Sequence, residues 1–230
     1  THHVLDDEVA DTTIALLLNT VREFYTAEKY LRDGNWENKG NYPLTPLSMR
    51  GRVVGIFGLG RIGQTIGRRL QGFDVEIHYH SRNQVAGVEY PYHATLLQLA
   101  QAVDTLIVVV PATSQTHHAI NAEILAALGE RGVLVNVGRG PVVDEAALIH
   151  ALENRIIAAA GLDVFENEPK VPKALIDLPN ASLLPHVASG SEDTRMAMGN
   201  LVIDNLVSWF EQGHAISPVP ETDHLKNRKT

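Results

Sequence analysis

The stretch Val53-Val54-Gly55-Ile56-Phe57-Gly58-Leu59-Gly60-Arg61-Ile62-Gly63 constrains this chain more than any other, and helical spacing continues through Gln64 to Leu70. An apolar run, a glycine-rich turn and a helix, in that order, form the unit whose mouth binds a dinucleotide. Gly58 permits the tight turn, Gly60 lets the backbone approach a pyrophosphate, and Gly63 lets the helix pack close to the strand. Leu59, Arg61 and Ile62 complete the cradle. A helix start there offers free N–H groups and a positive dipole end to phosphates.

Downstream the pattern alternates. Strand 53–57 precedes a helix near 62–72, and strand 75–79 precedes one near 95–102. Thr105 to Val110 reads as a strand that Pro111 stops. Asn121 caps a helix through Leu128, Val133 to Val137 is a strand, and Asp144 caps a helix carrying Ala147, Leu148 and Leu152. Ile156 to Leu162 and Ala181 to Leu184 are the last two strands. Fully apolar strands alternating with helices predict an α/β fold, a doubly wound parallel (Rossmann) sheet covered by helices on both faces. Before it, Val9, Ile14, Leu17, Leu18, Val21 and Phe24 mark one long helix up to about Arg32, ended by Gly34, and 33–50 reads as a loop. The final helix begins near Ser191, carries Met198, Leu201, Val202, Leu206 and Trp209 on one side, and ends at Gly213. Three units follow: a linking segment over 1–50, a dinucleotide-binding domain over 51–205, and a C-terminal segment over 206–230.

A formal net charge of −8 argues against a nucleic-acid surface built on Lys and Arg. The absence of cysteine excludes disulfides, thiolate zinc sites and cysteine nucleophiles. No apolar run approaches the ~20 residues of a membrane span, and no signal segment opens the chain. A soluble, cytoplasmic protein is the expectation. The histidines show no metal-ligand spacing: His117 and His118 are adjacent, so their side chains should diverge, and His78 and His80 share a strand face without further ligands. No metal is expected.

The second strand of such a fold usually ends on an acid that bonds the ribose 2′-OH of NAD. Here it ends His78-Tyr79-His80-Ser81-Arg82-Asn83, with no acid at the tip. A carboxylate ~4 Å from a 2′-phosphate would cost about 4 kcal/mol per charge pair at an effective dielectric of 20. Ser81 and Arg82 remove that repulsion and add a charge-assisted donor, so NADP(H) is preferred and NAD(H) remains an alternative.

Four further stretches fall at strand ends, where ligands of open parallel sheets bind. They are Pro111-Ala112-Thr113, Asn136-Val137-Gly138-Arg139-Gly140, Asp163-Val164-Phe165-Glu166-Asn167-Glu168-Pro169, and Pro185-His186-Val187-Ala188-Ser189. An arginine, a carboxylate and a histidine thus arrive on the cofactor's side. A planar guanidinium matches a carboxylate bidentately. Hydride addition to a carbonyl makes an alkoxide that needs a proton, and histidine is the usual donor near neutrality.

With these stretches in this order, over nearly the whole chain, the sequence resembles the D-2-hydroxyacid dehydrogenases, most closely their glyoxylate/hydroxypyruvate reductase branch. The resemblance implies NAD(P)H-dependent reduction of a small 2-keto acid to the D-2-hydroxy acid. By the same resemblance, Arg139 holds the substrate carboxylate and keto oxygen. His186 is the general acid, and Glu168 bonds His186 and keeps it protonated. Asp163, Val137, Gly138 and Arg139 lie near the nicotinamide, and Pro111, Thr116, His186 and Ser189 line the pocket. Asp163 has an alternative role, bonding nearby backbone. The family dimerises through its coenzyme domains, so a homodimer built on the first helix and the 33–50 loop is expected. Trp36 either anchors that contact or packs on its own domain. Family members begin with a flavodoxin-like substrate domain of about a hundred residues. This chain starts at the linking helix, so that partner domain is mostly missing from it, and the C-terminal segment is the part that returns to it. Two rival readings are an NAD-linked relative of phosphoglycerate or formate dehydrogenase type, and a nucleotide-sensing co-repressor.

Overall fold

The computed structural model describes residues 3–222, 224 and 225; the readings at Thr1, His2 and the end of the tail lie outside the described residues. Helix α1 (Asp6–Arg22) opens with Asp6, Asp7 and Glu8, whose charges suit the helix's positive end. It buries Val9, Ala10, Leu16, Leu17 and Val21. The single long helix expected up to Arg32 is broken. Glu23 takes a left-handed φ of 54°, and the Tyr25 N–H turns to Asn19 Oδ1 at 2.8 Å. A second helix, α2 (Phe24–Arg32), follows and buries no residue. It is held by surface contacts instead, among them Tyr30 Oη donating to Gly40 O at 3.0 Å. The expected loop also contains a short helix, α3 (Asn35–Lys39).

Then come β1 (Val53–Phe57), α4 (Arg61–Leu70), β2 (Glu76–His80), α5 (Leu96–Ala102), β3 (Thr105–Val108), α6 (Ala122–Leu128) and β4 (Val133–Asn136). They are followed by α7 (Glu145–Glu153), β5 (Ala159–Leu162), α8 (Lys173–Ile176), β6 (Ala181–Leu183) and α9 (Glu192–Glu211). Asn121, Asp144 and Ser191 cap α6, α7 and α9 through their side chains, as their positions predict. The fifth strand is shorter than expected at its start, because the Ile156 and Ile157 N–H groups both turn back to Ala151 O.

All six strands are parallel, in the order β2-β1-β3-β4-β5-β6. The order reverses at β1, which makes the mouth between β1 and β3 the binding crevice of a doubly wound sheet. Both faces are covered. Ile56, Ile66, Tyr79, Leu16 and Leu17 fill the side of α1 and α4. Leu99, Leu106, Leu125, Leu134 and Leu148 fill the side of α5, α6 and α7. The last helix behaves differently. Its buried residues are Thr194 and Ser208, and Met196, Val202, Ile203, Leu206, Val207 and Phe210 are exposed. Of the expected one-sided stripe, Met198, Leu201 and Trp209 are half-buried, while Val202 and Leu206 face solvent. The 205/206 division drawn from the sequence lies inside this helix.

Candidate active site

Gly58 has φ 104°, a conformation that L side chains rarely adopt. A Cβ on Gly63 would overlap the Gly58 carbonyl, so only glycine lets α4 start this close to β1. A Cβ on Gly60 would meet nothing within 4 Å, so the space above it is open. No side chain caps α4, and the first α-helical bond there runs from Gln64 N–H to Gly60 O. The Arg61, Ile62 and Gly63 amides are therefore the free donors of a helix start. This cradle fits a pyrophosphate. Leu59 is buried and Ile62 half-buried beside it. Arg61 is exposed, with Nε 3.1 Å from Asp6 Oδ2.

The Gly58 N–H donates to His80 O at 2.9 Å, which fixes the end of β2 beside the glycine turn. Ser81 follows at once, with Oγ donating to Asn83 O at 2.7 Å. Arg82 is exposed and makes no hydrogen bond or ion pair among the described residues. Across the mouth, Thr116 Oγ donates to Pro111 O at 2.7 Å and accepts the Thr113 N–H at 2.8 Å. Its hydroxyl thus shapes its own loop.

At the end of β4, buried Asn136 accepts the Gly138 N–H through Oδ1 and donates to Arg139 O through Nδ2. This closes the turn of Val137, Gly138 and Arg139. Val137 is buried and Arg139 exposed.

The end of β5 governs the histidine. Asp163 is 1% exposed, and its two oxygens accept the Val187 and Ala188 N–H groups at 2.7 and 3.0 Å. Its carbonyl accepts the His186 N–H at 2.9 Å. Three bonds thus hold the loop, and His186 sits in it at φ 54°. Asp163 serves the backbone, as the alternative reading of it required. Burial raises its carboxyl above the ordinary value, against the two amides, which lower it. Ser189 follows, half-buried.

Glu168 Oε2 lies 2.7 Å from His186 Nδ1, and its Oε1 accepts the Phe165 N–H at 3.0 Å. Partial burial opposes ionisation of Glu168. The His186 hydrogen bond, the Phe165 amide and the charges of His186 and Arg139 outweigh it and hold the carboxyl below its ordinary value. Arg139, Glu168 and His186 therefore form one electrostatic group, although they are far apart in sequence. Nδ1 is engaged, so Nε2 is the ring nitrogen left to exchange a proton with a bound molecule. A cavity of about 260 Å³, walled by Val171, Ile176, Leu183 and Leu184, opens against the Glu168–His186 pair.

Three polar residues next to this pair are linked in a way that the sequence does not show, and one of them, Glu145, carries no signal in it at all. Glu145, the first residue of α7, is 6% exposed and accepts the Glu166 N–H at 2.7 Å. Glu166 in turn pairs with His118 at 2.8 Å. In sequence, Glu145 is one more acid in a first helical turn, and nothing local distinguishes it. The expected divergence of His117 and His118 is also wrong. His118 has φ 50°, and this left-handed turn brings the rings to 4.0 Å between centroids. Among the described residues, no three His, Asp or Glu are grouped to hold a metal, and no helix is long and apolar enough to cross a membrane.

Residues 14–188 match the family model described as D-isomer specific 2-hydroxyacid dehydrogenase, NAD binding domain. Among curated proteins, the chain is 45% identical over 219 residues to a glyoxylate/hydroxypyruvate reductase A of Arabidopsis thaliana, covering 95% of this chain and 69% of that one. It is equally similar, over the same shares, to a hydroxyphenylpyruvate reductase of Plectranthus scutellarioides. Among solved structures, an NADPH-dependent glyoxylate/hydroxypyruvate reductase of Sinorhizobium meliloti, in complex with NADP and malonate, superposes with a TM-score of 0.97 at 59% identity. The match covers 100% of this chain and 72% of that structure.

Proposed function

This chain belongs to the D-isomer specific 2-hydroxyacid dehydrogenases, and we propose that it supplies the cofactor half of a reductase that converts a small 2-keto acid, of glyoxylate or hydroxypyruvate type, to the D-2-hydroxy acid. The observation that carries this reading is the 2.7 Å contact between Glu168 and His186 at the mouth of the sheet, with Arg139 acting on the same carboxylate.

In this reading the Gly58–Gly63 turn and the start of α4 hold the pyrophosphate of a nicotinamide dinucleotide. That cofactor supplies the hydride. The chain's own residues do the rest. Arg139 binds the substrate carboxylate and orients the keto carbon. His186 delivers a proton from Nε2 to the carbonyl oxygen, a step worth about 10²–10⁴-fold. Glu168 on Nδ1 fixes the ring's orientation and leaves Nε2 facing the substrate side. Asp163 keeps the His186 loop in place.

NADP(H) is the preferred cofactor. An unpartnered arginine next to Ser81, with no acid at the end of β2, suits a 2′-phosphate. The first fifty residues act as link and dimer arm, and the segment after 205 returns toward a substrate domain. Phe24, Tyr25, Leu31, Trp36 and Leu44 are all exposed on that arm, Leu44 at 98%, which supports its burial against a second copy.

The test is keto-acid reduction by the full-length protein with each cofactor. Wild type reduces glyoxylate or hydroxypyruvate with NADPH. His186→Gln lowers kcat by about 10²-fold or more. Arg82→Ala weakens NADPH selectively over NADH. Cofactor-dependent partner binding that survives His186→Ala, without turnover, would instead favour a nucleotide-sensing protein.

A further inference from the structure

Two consecutive backbone amides under the catalytic pair are each held by a glutamate. The Phe165 N–H donates to Glu168 Oε1 at 3.0 Å, and the Glu166 N–H donates to Glu145 Oε1 at 2.7 Å. The first glutamate is the partner of His186. The second comes from another element, the start of α7, and is 6% exposed. The turn that carries Glu168 is therefore fixed at one amide by its own side chain and at the next by a buried one.

Glu145 also links this turn to Arg139. From Arg139 the chain passes through a short 3₁₀ turn, Gly140–Val142, to the Asp144 cap and then Glu145. A Cβ on Gly140 would overlap the Phe165 carbonyl, so the two turns are packed backbone to backbone. A second strap runs alongside. His118 donates its N–H to Pro141 O at 2.9 Å, and its ring meets Glu166 at 2.8 Å.

We propose that Glu145 is a positioning residue for the reaction: by holding the Glu166 amide it sets Glu168 against His186 and keeps that pair in register with Arg139. This rests on the reductase reading given above. The role needs an acceptor and no charge. Burial raises the Glu145 carboxyl above its ordinary value, and the charge of Glu166 adds to that, while the Glu166 amide opposes it. A carboxylate, a carboxylic acid or an amide can all accept the Glu166 N–H.

The test is a graded series at 145. Glu145→Gln keeps an acceptor at the same reach, Glu145→Asp draws it back by one methylene, and Glu145→Met removes it at similar volume. Kinetics on the full-length protein and ¹³C titration of the Glu168 carboxyl read the outcome. Gln is expected to match wild type, Asp to lie between, and Met to lower kcat about 10–100-fold. KM for the keto acid and the Kd for NADPH should stay within about twofold. In the same order the Glu168 titration should climb back toward the ordinary carboxylate value. A Met variant with wild-type kcat and Glu168 titration but a lower melting point makes Glu145 merely structural and overturns the proposal. If Met does not fold, equality of Asp, Gln and wild type in both readouts overturns it. If no variant, wild type included, reduces a keto acid, the reductase reading fails, and the Glu168 titration alone still decides whether Glu145 positions that carboxyl.

Discussion

At the scale of single residues, Asp163 and Glu168 are two carboxylates shifted in opposite directions, and both shifts are measurable. Asp163 accepts two amides with two oxygens. Asp163→Asn keeps one acceptor and turns an NH₂ toward the other N–H, which should destabilise by about 1–3 kcal/mol in urea unfolding. Glu168 has a lowered native value, so between that value and the ordinary ~4.3 the unfolded chain binds more protons. Its pairing therefore stabilises fully above the ordinary value and is lost as pH falls through the native one. Asp163 is raised and runs the other way: its contribution is complete at low pH and is lost as pH rises through the raised native value. Urea midpoints from about pH 3 to 6 should show a shallower acid arm in Glu168→Gln than in wild type. The types and order of Arg139, Glu168 and His186 were legible in the chain. Glu145 was not, because its acceptor role exists only once α7 lies against the loop after β5. Asp163 could be read two ways until its partners, Val187 and Ala188, were in place.

Elements carry the next set of consequences. The start of α4 is pressed onto β1 so closely that Gly63 accepts no side chain. Gly63→Ala should push the helix away, at about 1–3 kcal/mol of overpacking. That corresponds to roughly 2–12 °C in Tm, and NADPH fluorescence titration should show binding lost or strongly weakened. Strands and caps were readable because each depends on local signals. Short apolar runs, as in β1, β3, β4 and β5, and a Ser, Asn or Asp before a helix suffice. The break at Glu23 was not readable. Apolar spacing runs on past it, and only the end of the core beneath α1 decides that the helix breaks there. The same limit applies to α9, whose sequence stripe predicts a buried face while the folded chain leaves much of it exposed.

Among the described residues, the chain forms a doubly wound sheet with a core on each face and leaves apolar side chains exposed on the arm after α1 and on α9. If the arm is the dimer contact, replacing both Trp36 and Leu44 by Asp should give a monomer in sedimentation equilibrium while the Tm of the sheet changes little. A wild-type chain that sediments as a monomer at micromolar concentration would remove that assignment. What the sequence determined by itself had a short physical range: the glycine turn, the capped helices, most of the strands, and which ionisable groups stand at strand ends. The tertiary structure alone decided how those ends meet. The Glu168–His186 contact, the service of Asp163 to the 187–188 backbone and the reach of Glu145 to Glu166 join distant parts of the chain, and no local propensity encodes a distance between residues that only packing brings together.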